Sequence, residues 1–389
     1  MTITHTPPRT PLEAARQLAP LIRSYADQIE EMRELPRPLF EAMADAGLFH
    51  LAVPRSVGGG EIDLPTYIEV LQELGKADAS TAWVVNQGAI FATYAAAVPE
   101  HVARLVWTDS GRGVVANTPV SSAKVIAVEG GYRVSGRFGF GTGSRHASWL
   151  APRGHILDDG QPRLQRDGEP DARFFLVPVE EAEVLDTWHT RGMRGTGTHH
   201  FKVDDVFVPE ERSFTPTNQP LVGRGPLYTV PRTLLFACGD AATALGVAQR
   251  SIDALVELAG AKTPTNSGSL LRDQPLLQFD LGQALAHLHS GRALLRQTVR
   301  EIWDAATSTG VLTPAHLADL RLAATHTLRL AVEVVDIVYN DAGASAVYLN
   351  NPIQRLFQDI HVISQHIQAR RTYYELVGRF ELGLDASFL

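Results

Sequence analysis

From Pro11 to about Trp107 the apolar positions recur every three or four residues. Leu12, Ala15, Leu18, Leu21 and Ile22 make one such series, and Leu39, Met43 and Leu48 another. That period puts apolar side chains on one helix face. Pro36 and Pro38 separate the segments, and Val57-Gly-Gly-Gly-Glu61 reads as a loop. Two more helices are predicted over 66–75 and 80–98, the second opened by Asp78-Ala-Ser-Thr81, a capping run. Between Gly113 and Pro209 the texture changes to short β-branched and aromatic runs: Val114-Val115, Lys124–Val128, Tyr132–Val134, Arg173–Val177 and His199–Phe207. Gly130-Gly131 between two of these runs predicts a hairpin. The stretch 155–171 is polar and predicts an exposed excursion. After Pro220 four long periodic segments follow, over 234–258, 276–305, 314–339 and 352–382. Short loops between them predict an antiparallel four-helix bundle.

The expected fold is therefore α+β in three parts: an N-terminal helical domain (1–112), a central antiparallel β-barrel (113–220) and a C-terminal four-helix bundle (221–389). No alternation of strand and helix supports a Rossmann fold. There is no phosphate-binding loop of the Walker kind, no His-Glu-x-x-His and no nucleophile elbow. The 389 residues are 44% hydrophobic and carry a formal charge of −8, which argues against a nucleic-acid partner. One cysteine, Cys238, excludes an intrachain disulfide and a cysteine zinc cage, and no metal site is expected. A polar amino terminus and the lack of a long apolar run lead to the expectation of a cytoplasmic protein without membrane contact.

The stretch Val134–Trp149 carries Gly136, Gly139, Gly141 and Gly143 with Thr142 and Ser144 among them. Missing side chains leave room for a flat group beside the backbone, and the hydroxyls supply polar contacts. By spacing alone it suits a glycine-rich hairpin as well as a ligand platform.

Three motifs in this order resemble the acyl-CoA dehydrogenase-like flavoprotein superfamily. They are Phe140-Gly-Thr-Gly-Ser-Arg-His-Ala-Ser-Trp149; Gly192-Met-Arg-Gly-Thr-Gly-Thr198 with Val203-Asp-Asp-Val-Phe-Val-Pro209; and Asn351-Pro-Ile-Gln-Arg-Leu-Phe-Gln-Asp-Ile-His361. The resemblance implies that Thr142 meets the flavin N5 edge. It implies cofactor contacts from Asn117, Phe140, Ser144, Trp188 and Arg194, with Lys262 and Arg272 at the flavin phosphate. The loop Asp341-Ala-Gly-Ala-Ser345 is similar to one that serves a homotetramer interface.

The dehydrogenase branch needs a carboxylate base. The two positions where that branch keeps it fall on Ile367 and Phe236. No acid occurs between Glu211 and Asp240, which leaves Asp240 as the only substitute. By contrast, Asp359-Ile-His361-Val-Ile-Ser-Gln-His366 resembles the Asp-x-His-x4-His run of the branch that uses reduced flavin and O2 as monooxygenases. On one helix, Arg355, Asp359, Val362, His366 and Arg370 share a polar stripe, opposite Ile353, Leu356, Ile360, Ile363 and Ile367. Imidazole titrates near neutrality, so His366 is the expected catalytic group with Thr142, and His361 is expected to be structural or at a subunit contact. Phe91 stands where several oxygenases bring a second histidine; with Tyr94, Phe236 and His366 it makes the expected substrate pocket. The resemblance implies the oxygenase component of a two-component flavin-dependent monooxygenase. It would take diffusible reduced FMN or FAD from a separate flavin reductase, and act with O2 on a small aromatic or heteroatom-containing molecule. An acyl-CoA dehydrogenase-like desaturase and a flavin-free binding protein of the same fold are the alternatives.

Overall fold

The computed structural model describes residues 10–166, 168–216, 225–265 and 267–385, with 120–122 as backbone only. The expected boundary at 220/221 lies outside the described residues. Six helices come first: α1 (Pro11–Ser24), α2 (Ala26–Met32), α3 (Arg37–Asp45), α4 (Leu64–Ala77), α5 (Ala79–Phe91) and α6 (Glu100–Ala103). The Asp78 carboxylate caps α5 by accepting from the Thr81 N–H at 2.7 Å. Almost every residue of α5 is buried, because it lies between α4, α7 (Arg232–Ala261) and the sheet. The helix predicted over 80–98 stops at Phe91 and continues as a 3-10 turn over Ala92–Ala97.

The sheet comprises β1 (Val115–Val128), β2 (Gly131–Gly141), β3 (Trp149–Asp158), β4 (Gln161–Pro162), β5 (Ala172–Phe175), β6 (Val177–Pro178), β7 (Ala182–Leu185), β8 (His199–Pro209) and β9 (Ser213–Phe214). Its order is β7-β8-β2-β1-β3-β5-β9, with β4 and β6 paired to β3. The expected antiparallel barrel is corrected on two counts. β1 and β3 are parallel, Val115 opposite Trp149, so the sheet is mixed. Its path ends on two different strands, β7 and β9, so it does not close. The cause is the loop 142–148, which carries the chain from the end of β2 across to the far side of β1. Nor is 155–171 wholly an excursion: β3 runs through Asp158 and β4 turns back on it, Gln161 opposite Asp158.

Three long helices follow: α7, α8 (Pro275–Ser308) and α9 (Pro314–Ala342). The fourth expected helix is broken into α10 (Pro352–Ile363) and α11 (Thr372–Glu381). α9 packs between α7 and α8, and α10 lies against both α7 and α9. One apolar core joins α1–α5 to these later helices, a second surrounds Phe91, and a third lies within the sheet. Among the described residues no helix is long and apolar enough to cross a membrane.

Candidate functional site

The site is built where α5 crosses α7. A Cβ on Gly239 would fall 2.0 Å from Asn86 Oδ1, so glycine leaves room for the Asn86 carboxamide against α7. Asn86 Nδ2 then donates to Asp240 Oδ1 at 2.8 Å, and the Tyr67 hydroxyl donates to Asn86 Oδ1 at 2.7 Å. The other carboxylate oxygen, Asp240 Oδ2, lies 2.6 Å from His366 Nδ1. Tyr67, Asn86 and Asp240 are all fully buried, while the His366 side chain keeps 26% of its surface. Burial and the nearby Asp240 charge push the Tyr67 phenol well above its usual range, so it acts as a neutral donor.

A carboxylate is an acceptor, so its contact places a proton on Nδ1 and leaves Nε2 as the basic nitrogen. The Trp83 ring meets the His366 ring edge-on with centroids 5.0 Å apart. Asp240 itself has no exposed surface, and each of its oxygens holds a hydrogen bond.

The stripe drawn through His366 needs correction. α10 ends at Ile363, with Ser364 as its C-cap and His366 in the turn beyond. The Ser364 hydroxyl donates back to the His361 carbonyl at 2.8 Å, and Arg329 of α9 donates to the carbonyls of Ser364 and Ala369. Arg321, also on α9, reaches Gln368 Oε1 at 2.9 Å. These bonds replace the helical ones that the turn forfeits. Asp359 does not anchor His366; its carboxylate accepts from the Met193 N–H. His361 faces elsewhere, 2.9 Å from Asp336.

The glycine-rich platform lies on the other side of α5. Gly143 has φ +70°, and a Cβ there would sit 3.3 Å from Val84, the neighbour of Trp83. The Thr142 hydroxyl is 3.0 Å from that of Thr198, which is 2.7 Å from that of Thr196; Thr196 donates to the Met193 carbonyl at 2.9 Å. Ser144, fully buried, donates to the Gly197 carbonyl at 3.2 Å. The 192–198 turn is itself clamped to α10, since a Cβ on Gly192 would overlap the Gln358 carbonyl at 2.3 Å. Thus two of the three sequence motifs meet at Gly192–Asp359, while the first and second meet at Thr142–Thr198.

Other expected cofactor residues are distributed more widely. Phe140 has φ +63° and is 56% exposed at the end of β2. Asn117 is part-buried on β1 opposite Ala151. Trp188 Nε1 donates to the Met193 carbonyl at 2.9 Å, bracing the same turn. Arg194 is committed to α2, with Nε 3.0 Å from Glu30 Oε1. Lys262 donates to the Ala342 carbonyl at 2.8 Å, and Arg272 is exposed with Asp273 3.9 Å away. Lys262 ends α7 about 33 Å along the axis from Asp240, so one subunit does not bring these two cations to the His366 site.

Of the expected pocket residues, Phe236 is part-buried one turn before Asp240. Phe91 and Tyr94 are buried in an aromatic cluster with Phe174 and Phe214; the Tyr94 and Phe214 ring centroids are 4.8 Å apart. Tyr67, Arg321 and Arg329 were not legible as site residues, because nothing in their local sequence marks a contact made from another helix. Asp240 had a faint signal, its i, i+4 relation to Phe236. Among the described residues no group of three or more His, Cys, Asp or Glu is placed to hold a metal ion.

A planar, mostly apolar ring with one polar edge fits this platform: glycines at 139, 141 and 143, a hydroxyl chain through Thr142, and an exposed Phe140. Comparison with known proteins agrees. Residues 12–100 match the family model for the acyl-CoA dehydrogenase N-terminal domain and 238–371 that for its C-terminal domain, together more than half of the chain. The chain is similar to the indole-3-acetate monooxygenase of Pseudomonas putida, with 28% identity over 93% of this chain and 90% of that one. It is also similar to the flavin-dependent monooxygenase oxygenase subunit HsaA of Mycobacterium tuberculosis, at 28% identity over 96% of this chain and 95% of that protein. Among solved structures, XiaF from Streptomyces sp. in complex with FADH2 and glycerol aligns with a TM-score of 0.86 and 26% identity. That alignment covers 97% of this chain and 96% of the other.

Proposed function

This chain belongs to the acyl-CoA dehydrogenase-like flavoprotein superfamily, in its flavin-dependent monooxygenase branch, and we propose that His366 is its catalytic base. The protein is an oxidoreductase, the oxygenase component of a two-component system that uses reduced flavin and O2. A separate flavin reductase supplies reduced FMN or FAD, and the substrate is a small aromatic or heteroatom-containing molecule.

The observation that carries the reading is the His366–Asp240 pair at 2.6 Å. Nε2 of His366 takes a proton from the substrate, or donates one once the imidazole is charged. Asp240, fully buried, stabilises that imidazolium and fixes the ring. A dehydrogenase would need a carboxylate that reaches a thioester's α-proton, and Asp240 is fully buried behind Asn86 and His366. Thr142, held by Thr198, would meet the polar edge of the flavin, with Asn117 and Phe140 beside it, while Ser144, Trp188 and Arg194 brace the turns that carry it. When bound, reduced flavin would supply the two electrons that activate O2, with one oxygen atom of O2 going to the substrate and the other to water. Phe236 with the Phe91–Tyr94 cluster keeps water from the reacting atoms.

Lys262 and Arg272 serve the flavin phosphate of a neighbouring subunit in a homotetramer, which reconciles their distance from His366. The three-part division at 112 and 220, with the later helices as a four-helix bundle, and a cytoplasmic location complete the proposal. The decisive experiment mixes anaerobic protein and reduced flavin with O2 in a stopped-flow instrument. A transient spectrum distinct from both reduced and oxidised flavin, shortened in His366→Ala, is the expected result. Anaerobic bleaching of protein-bound oxidised flavin by an acyl-CoA would overturn it in favour of a dehydrogenase.

A further inference from the structure

One turn of α7 before Phe236, and two before Asp240, the same stripe carries Arg232. Its guanidinium carbon lies 3.9 Å above the centroid of the Tyr94 ring. Nε donates to the Thr93 hydroxyl at 2.9 Å, and one terminal nitrogen reaches the Pro216 carbonyl at 3.4 Å. All of these partners are neutral. A second guanidinium, that of Arg153 on β3, lies 5.6 Å from the centroid of Phe174 in the same aromatic cluster, and its Nε is buried without a hydrogen-bond partner. Both arginines act electrostatically on the Tyr94 phenol. Among the described residues neither has a carboxylate in ion-pair contact, and the stretch 217–224 contains no acidic residue.

Arg153 and Arg232 are part-buried, and a cation drawn out of water without a counter-charge costs free energy, so such a group is ordinarily paired. Two of them converging on one aromatic cluster call for an anion that the chain itself does not supply. Beside Arg232 lies a cavity of about 120 Å³ bordered by Thr93, Tyr228, Val230 and Leu235. It is smaller than the few hundred Å³ typical of whole-ligand pockets, so it suits the end of a molecule rather than all of it. Burial weakens the basicity of Arg232, and only the phenols of Tyr94 and Tyr228 offset this. From Arg232 to Asp240 the rise along α7 is about 12 Å, with Phe236 midway.

We infer that Arg232, assisted by Arg153, forms a subsite for the carboxylate of an aromatic acid substrate whose ring extends along α7 towards His366. The inference rests on the monooxygenase reading and specifies its substrate class. Phe236 then lies beside the apolar body, and the anion sets which ring position faces Nε2. Carboxylate and guanidinium favour paired, bidentate hydrogen bonds, for which the Arg232 terminal nitrogens are the available donors.

The test uses the full chain saturated anaerobically with reduced flavin. Binding of phenylacetate and indole-3-acetate is compared with that of their primary amides by saturation-transfer NMR titration. The acids are expected to bind about tenfold tighter than the amides, as a charge-assisted hydrogen bond would give. In the double variant Arg153→Gln/Arg232→Gln that preference is expected to vanish, and Arg232→Lys should retain part of it while reporting on folding. Equal affinity for acid and amide, a preference that survives the double variant, or no acid binding at about 10 mM, well above a millimolar Kd, would each overturn it. If Arg232→Gln instead weakens reduced FMN but not reduced riboflavin, the arginines serve the flavin phosphate and the subsite is wrong. The O2 reaction of the wild type without any acid present tests the monooxygenase reading separately, so the two failures are distinguishable.

Discussion

His366 Nδ1 and Asp240 Oδ2 lie 2.6 Å apart although 126 residues separate them, and the carboxylate has no exposed surface. The pair joins the turn after α10 to the middle of α7 and makes one nitrogen of His366 a donor, the other a base. Asp240→Asn keeps the shape and removes the charge that stabilises the imidazolium. The rate of product formation should fall by about 10²-fold, within the range for general acid–base groups, while reduced-flavin affinity stays within about twofold. Single-turnover assays with chemically reduced flavin measure both; an unchanged rate would remove Asp240 from the mechanism.

Behind that pair, Asn86 satisfies Asp240 Oδ1 and the Tyr67 hydroxyl together. Asn86→Ala leaves Asp240 Oδ1 without a partner and the Tyr67 hydroxyl with only the backbone carbonyl of residue 86, at 3.4 Å, at a total cost of about 2–4 kcal/mol. Tyr67→Phe removes a single donor, so its cost should be about 1 kcal/mol. Calorimetric melting should therefore rank wild type above Tyr67→Phe and that above Asn86→Ala. The reverse order would mean that the relay contributes nothing to stability.

The platform makes a different demand. Thr142→Val preserves volume and deletes the hydroxyl that stands 3.0 Å from Thr198. Thr142→Ser retains it. Reduced-flavin affinity should drop by about tenfold in the first, the worth of one hydrogen bond to a buried polar edge, and by much less in the second. Equal affinities in an anaerobic titration would place the flavin's polar edge elsewhere.

Acid stability reports on His199, which is fully buried. Burial, with Arg145 adding to it, lowers its pKa to about 4, and its Nδ1 accepts from the Thr187 and Trp188 N–H groups at 3.2 Å. Between the unfolded value of about 6.5 and that lowered value, the unfolded chain binds the extra proton. Its contribution is therefore full above pH 6.5 and is lost as pH falls towards 4. His199→Gln is destabilising at pH 7, and the gap in Tm between it and wild type should narrow from pH 6.5 to 4. A constant gap would show that His199 does not titrate across that range.

Much of this architecture could be read from local pattern. The helix period over 11–48, the change at Gly113, the Gly130-Gly131 hairpin and the cap at Asp78 each depend on neighbours within a few residues. So does the glycine-rich run around Thr142, whose φ +70° at Gly143 is a local property. Pairing partners are another matter. A strand's own pattern carries no information on which strand it lies beside, and the parallel place of β3 next to β1 turned an expected closed barrel into an open mixed sheet.

His366 draws the line most clearly. The run Asp359-x-His361-x4-His366 drew attention through its resemblance to the monooxygenase branch, and the residue type was evident from the chain itself. Its partner was not, because continuing the helical period past Ile363 assigns it to Asp359. Arg329, Arg321 and Asp240 compete for the same segment from two other helices. Hydrogen bonds from across the fold outweighed one more turn of α-helix, and only their sum decided which carboxylate the imidazole meets.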